Sequence, residues 1–109
     1  VSFERRYTDY NYVINLQKGL KEIAQDSNFA NDFPQRFVVG VYSIGKFKAE
    51  INVSRIGITL EFIHDKPMPN GIPPVGLQYL KNFPKTEKEM IEAVEKELRQ
   101  FIKKYDTLL

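Results

Sequence analysis

Hydrophobic and polar positions alternate with a period of two from Phe37 to His64, FVVGVYSIGKFKAEINVSRIGITLEFIH. Residues two apart on a strand share a face. Phe47, Ala49, Ile51 and Val53 therefore face one way, and Lys46, Lys48, Glu50, Asn52 and Ser54 the other. Ile58, Leu60 and Phe62 repeat the pattern against Thr59 and Glu61. Phe37–Ile44 is apolar on both sides, as in a central strand. Gly45 and Gly57 supply the positive φ that short hairpin loops need. The stretch predicts a three-stranded antiparallel meander.

The flanks change period. Val13, Leu16, Leu20 and Ile23 recur every three or four residues, which predicts a helix capped by Thr8 or Asp9. Lys18, Lys21, Glu22 and Gln25 face away from that stripe. Ile91, Val94, Leu98, Phe101, Tyr105 and Leu108 predict a second helix. It opens on the capping box Thr86-Glu87-Lys88-Glu89. Val1–Tyr7 alternates loosely and reads as an edge strand or a free arm. Residues 28–34 read as a loop whose Phe29 and Phe33 plug the rim of the core. Leu77–Phe83 reads as a short helical turn or strand.

The fold expected is α+β: a three-stranded antiparallel meander with a fourth edge strand from the N-terminus, covered on one face by an N-terminal and a C-terminal helix. At 109 residues the chain is expected to form a single domain over 1–109, long enough to need no staples. It has no Cys, which removes disulfides and thiolate metal sites and fits a cytoplasmic protein, the expected compartment. No apolar run is long enough to span a bilayer, so no membrane association is expected. The chain starts at Val1 without Met, which fits processing or a longer parent chain.

A net charge of +2 is too small to imply a polyanion partner, but its distribution is uneven. Residues 33–86 carry seven Lys/Arg against three acids, and both flanks are slightly acidic. Arg36, Lys46, Lys48, Arg55 and Lys66 make the sheet mildly basic. A nucleic-acid-binding module using that face is therefore the alternative function. The order helix, three strands, helix resembles that of double-stranded-RNA-binding domains. The basic cluster that such domains hold at the start of their last helix is replaced here by Glu87-Lys88-Glu89.

No catalytic set converges in the sequence. His64 is the only histidine, and the adjacent Asp65 would point to the other face of a strand. Asp9, Asp32, Glu61 and Asp65 have no metal-site spacing, and no Gly-rich phosphate loop occurs. The expectation is a non-enzyme with no catalytic residue, no metal and no cofactor. Asn52-Val53-Ser54 matches a glycosylation pattern inside a predicted strand.

What remains is a long Pro-rich segment and a helical stripe. Asp65–Pro84 holds five of the six prolines. A long loop with this composition is a partner-binding candidate, with Pro67, Pro69, Asn70, Ile72, Pro73 and Pro74 as its contact residues. The leading expectation is a small binding or adaptor protein acting through a protein–protein surface. Loop 66–76, the C-terminal helix, or both would form it, with a protein partner or self-association as the outcome. Core packing is the favoured use of the helical stripe, and a dimer is its alternative.

Overall fold

In the computed structural model, residues 1–25, 36–64 and 75–108 are described. The element order is β1 (Ser2–Arg5), α1 (Tyr10–Gln25), β2 (Arg36–Ile44), β3 (Phe47–Ser54), β4 (Gly57–His64), β5 (Val75–Tyr79) and α2 (Glu87–Leu108). The fold is α+β. Its five strands form one antiparallel sheet in the order β1-β2-β3-β4-β5.

The central meander matches the pattern in the sequence, and the sheet is wider on both sides. β1 pairs with β2, placing Phe3 opposite Tyr42 and Arg5 opposite Gly40. β5 pairs with β4, placing Leu77 opposite Glu61. The expected three strands and one edge strand are thus five strands. Val75-Gly-Leu77-Gln-Tyr79 has its own period-two pattern, short enough to be obscured by the prolines before it.

Both hairpins have two-residue loops. Gly45 and Lys46 connect β2 to β3, and Gly45 takes φ +60° at the first loop position. Arg55 and Ile56 connect β3 to β4. Here the positive φ, +127°, falls on Gly57 just after the loop. The Tyr79 ring lies over Gly57, and the Tyr79 hydroxyl donates to the Ile56 carbonyl at 2.6 Å. The tip of one hairpin is thereby tied to the edge strand.

The helices cover one face of the sheet. Asp9 caps α1: its Oδ1 accepts the Asn11 amide at 2.9 Å. The buried stripe of α1 is Tyr10, Val13, Gln17 and Leu20, with Leu16 only half-buried. Gln17 is tolerated there because its Nε2 donates to the Arg55 carbonyl at 3.2 Å. Thr86 caps α2 by accepting the Glu89 amide at 3.2 Å. Glu89 reaches back one residue further than the usual box, accepting the Lys85 amide at 3.1 Å. Met90, Val94, Leu98 and Tyr105 bury the inner side of α2. Met90 starts that stripe one residue before Ile91, which is half-buried.

One cluster joins these helices to Ala49, Ile51, Val53, Ile58, Leu60 and Phe62. The apolar stripe of α2 is therefore core, as favoured by the sequence reading. No described helix is long and apolar enough to cross a membrane.

Candidate functional site

The opposite face of the sheet carries no described helix. Strand register lays its residues out in rows. Glu4, Val41, Glu50, Glu61 and Leu77 stand side by side across all five strands. Ser43, Lys48 and Ile63 form the neighbouring row. A shallow depression of about 430 Å³ opens between them, lined by Glu4, Arg6, Val41, Lys48 and Glu50 among others.

The basic residues named from sequence do not gather on this face. Arg36 pairs with Ser54 at one end of the meander, and Arg55 is in the turn beside it. Lys46 is in the turn at the other end, and Lys48 enters β3 from there. At about 3.3 Å per residue, the nine residues of β2 put roughly 25–30 Å between these ends. The row Glu4, Glu50, Glu61 crosses between them. Lys66, Pro67, Pro69, Asn70, Ile72, Pro73 and Pro74 lie outside the described residues, as do Phe29, Phe33, Asp32 and Asp65.

Among the described residues, no three His, Asp or Glu side chains gather as a metal site. His64 is placed against aromatic rings, stacked on Tyr105 at 4.9 Å and 4.5 Å from the Phe47 centroid. Asp9 serves as a helix cap, and Glu61 stands on the sheet face opposite the described helices. Asn52 is 2% exposed, which closes its side chain to glycosylation.

A polar corner forms where β1 meets the start of α2. The Arg5 Nη2 lies 2.6 Å from Glu87 Oε1, and the Arg5 guanidinium sits over the Tyr7 ring at 5.5 Å. Tyr10 meets Tyr7 edge-on and donates its hydroxyl to the Pro84 carbonyl at 2.6 Å. The Tyr7 hydroxyl is buried near Glu87 and Arg5 but makes no hydrogen bond of good geometry to either. Burial first, then the nearby Glu87 carboxylate, pushes the Tyr7 phenol up to about 12. Burial raises Tyr10 too, with Tyr7, Glu89 and Glu87 adding to it. These phenols hold their protons at neutral pH and form a structural corner, unsuited to proton transfer there.

That corner carries a pH prediction. Unfolded, these phenols titrate near 10.0; folded, Tyr7 titrates near 12. Their contribution is complete below pH 10 and is lost as pH rises toward 12. Thermal melts from pH 7 to 11.5 should show stability falling steeply above pH 10, with Tyr7→Phe flattening the fall. At pH 7, Tyr7→Phe should be neutral or slightly stabilising because it removes an unpartnered buried hydroxyl. Tyr10→Phe should cost about 1 kcal/mol because it orphans the Pro84 carbonyl. Equal losses for the two variants at pH 7 would refute this account.

The two ends of the sheet differ. β1 is short and charged, with Glu4 and Arg5 in it and Arg6 just after. β5 contains no charged residue. Leu77 is 65% exposed and Tyr79 43%. The Leu80 amide donates to the Ile58 carbonyl at 3.0 Å. In an antiparallel ladder, bonded positions alternate. In this register Gly76 and Gln78 bond inward to β4, while Val75, Leu77 and Tyr79 turn their N–H and C=O outward. The Gln78 side chain donates to the outward Tyr79 carbonyl at 3.3 Å, as expected of an edge with no described strand beyond it.

A cleft of about 200 Å³ runs along this edge between β5 and α2. Phe62 and Phe101 stack at 4.8 Å beside it. Gly76 admits the Phe101 ring: a Cβ there would lie 3.1 Å from Phe101 Cε2. Glu97, Gln100 and Lys104 line the helix side. The sequence reading singled out the last helix, but it missed the edge. The absence of charge from Val75 to Tyr79 is the signal that could have located it. No family model, curated protein or solved structure matches this chain.

Proposed function

We propose that this chain is a small non-enzymatic binding module that acts through a protein–protein surface formed by β5 and the flank of α2. The uncharged, outward-bonding edge of β5 carries the reading. Sheet edges bind extended chain by adding a strand: main-chain bonds give affinity, and alternate side chains enter the neighbouring cleft. Natural monomers blunt such edges with charge or proline, and β5 has neither. The cleft beside it has an aromatic wall and one charge of each sign on its helical side. The Pro-rich run 66–74 leads directly into β5 and belongs to the same reading.

A nucleic-acid role for Arg36, Lys46, Lys48 and Arg55 has less support. The acidic row between the basic ends would face any phosphate backbone laid along the sheet.

Selection of random peptides by display on the protein tests the proposal. Bound peptides are expected to alternate apolar residues and to slow amide exchange at Val75, Leu77 and Tyr79. Gly76 and Gln78, already bonded inward, should change little. A selection on monomeric protein that yields no peptide acting on the outward amides overturns the reading. Fluorescence anisotropy with oligonucleotides at about 50 and 200 mM salt addresses the alternative. Tight binding that collapses at the higher salt, and is lost on charge reversal of Lys46, Lys48 and Arg55, would replace it.

A further inference from the structure

We infer that the strand added to β5 is β5 of a second copy of this chain, giving an isologous dimer with one continuous ten-stranded sheet. This rests on the reading of β5 as a binding edge, and it names the occupant. Three independent features of the edge match their own copy under a two-fold axis perpendicular to the sheet.

The first is bonding. An antiparallel pair centred on a residue that bonds outward repeats the ladder without a shift. Leu77 is the centre of the outward set Val75, Leu77, Tyr79. With the axis through Leu77, that residue exchanges both main-chain bonds with the partner's Leu77. Val75 then meets the partner's Tyr79, and Tyr79 the partner's Val75. Every outward N–H and C=O of β5 is satisfied, and the weak Gln78 side-chain contact to Tyr79 is replaced by a main-chain bond.

Side-chain chemistry is the second. A homodimer brings each residue near its own kind, so a charged edge repels itself at the axis. β5 contains no charge, and its exposed Leu77 would lie against the partner's Leu77. β1, the other edge, fails here: Glu4 and Arg5 occupy its middle and end.

The helix supplies the third. Glu97 and Lys104 both line the cleft on β5. They are seven residues apart, so they lie on one side of α2 about 10 Å from each other. Two-fold symmetry runs the two α2 helices antiparallel. Glu97 then faces the partner's Lys104, and Lys104 the partner's Glu97, about a centre at Gln100 and Phe101. That centre coincides with the strand centre, because Phe101 packs on Gly76, the residue next to Leu77. An arbitrary peptide would need neither the matched charges nor the shared centre.

Sedimentation velocity from about 1 µM to 1 mM tests the inference, with amide exchange read on the same samples. Mass should rise from one chain to two, and the outward amides of Val75, Leu77 and Tyr79 should slow as it does. Leu77→Lys places a charge at the axis on a side chain already in solvent. It should weaken the dimer more than about tenfold while the circular dichroism stays unchanged. Glu97→Lys alone should weaken it about three- to tenfold, and adding Lys104→Glu should restore it. A chain that stays monomeric to 1 mM overturns the inference, as does a dimer indifferent to Leu77→Lys and to the charge pair. A monomer that still accepts a selected peptide on β5 leaves the proposed function standing; a monomer that accepts none removes both.

Discussion

Replacing Leu98 by Ala is expected to destabilise the protein by about 3–5 kcal/mol, lowering the melting temperature by on the order of 15–30 °C. Leu98 has no exposed surface and belongs to the one cluster that joins both helices to the sheet. Truncation removes its transfer free energy and leaves a cavity that rigid neighbours fill only partly. The cluster includes Ala49, Ile51, Val53, Ile58, Leu60 and Phe62, which the ladders of β3 and β4 hold in place. The comparison variant is Lys96→Ala, on the exposed side of the same helix, where the change should stay within about 0.5 kcal/mol. Thermal melts of the two variants distinguish core packing from the coiled-coil use of the stripe. A stripe that served only association would lose dimer in Leu98→Ala and keep its monomer stability.

The elements legible in the sequence are those in which burial and period agree. Lys46 to Ser54 alternates because one face meets two helices and the other meets no described helix. α2 is legible because the capping signal at Thr86–Glu89 and the stripe that follows point to the same start. Gln17 shows where the signal misleads. A polar side chain fills a core position of α1 because the Arg55 carbonyl is within its reach, and that carbonyl is 38 residues away in sequence. The edge strands were only half legible for a related reason. Among the described residues β1 and β5 each pair on one side only, so their side chains carry a weaker burial pattern. Their existence depends on a neighbour far along the chain: Ser43 for Ser2, and Glu61 for Leu77. The basic face was misleading in the opposite way. Counting charges by segment places Arg36, Lys46, Lys48 and Arg55 together, whereas strand length separates them into two ends.

The candidate site is faint in the sequence for a similar reason. A surface that acts by main-chain bonding needs few distinctive side chains, so it leaves little trace in composition. What it leaves is an omission: a strand at the border of the sheet without the charges that a lone border strand carries. β1 and β5 differ in this respect, and both are borders of the sheet among the described residues.

Gly40→Ala is expected to cost about 2–3 kcal/mol and to act mainly on β1. A Cβ at Gly40 would lie 2.8 Å from Phe3 Cε1 and 3.0 Å from the Glu4 carbonyl oxygen. The Phe3 ring can turn aside, but the Glu4 oxygen belongs to the backbone of the paired strand, so the strand itself must move. Gly40 also follows the irregularity between Val38 and Gly40, where Val39 is inserted without a partner on β3. Val39 is 2% exposed and anchors the bulge in the core, which prevents β2 from shifting to make room. β1 therefore yields. It has four residues, a bond from the Arg6 amide to the Val39 carbonyl at 3.0 Å, and the Arg5–Glu87 contact to hold it. Amide exchange should show the β1 and Arg6 amides opening in Gly40→Ala while those of β3 and β4 keep their protection. The Tyr7 ring, left without its neighbour in place, should become more accessible, its folded pKa should fall back toward the unfolded value of 10.0, and its part of the alkaline loss of stability should shrink. Uniform loss of protection across all five strands would mean instead that β1 is an integral part of the cooperative core and not an attached border.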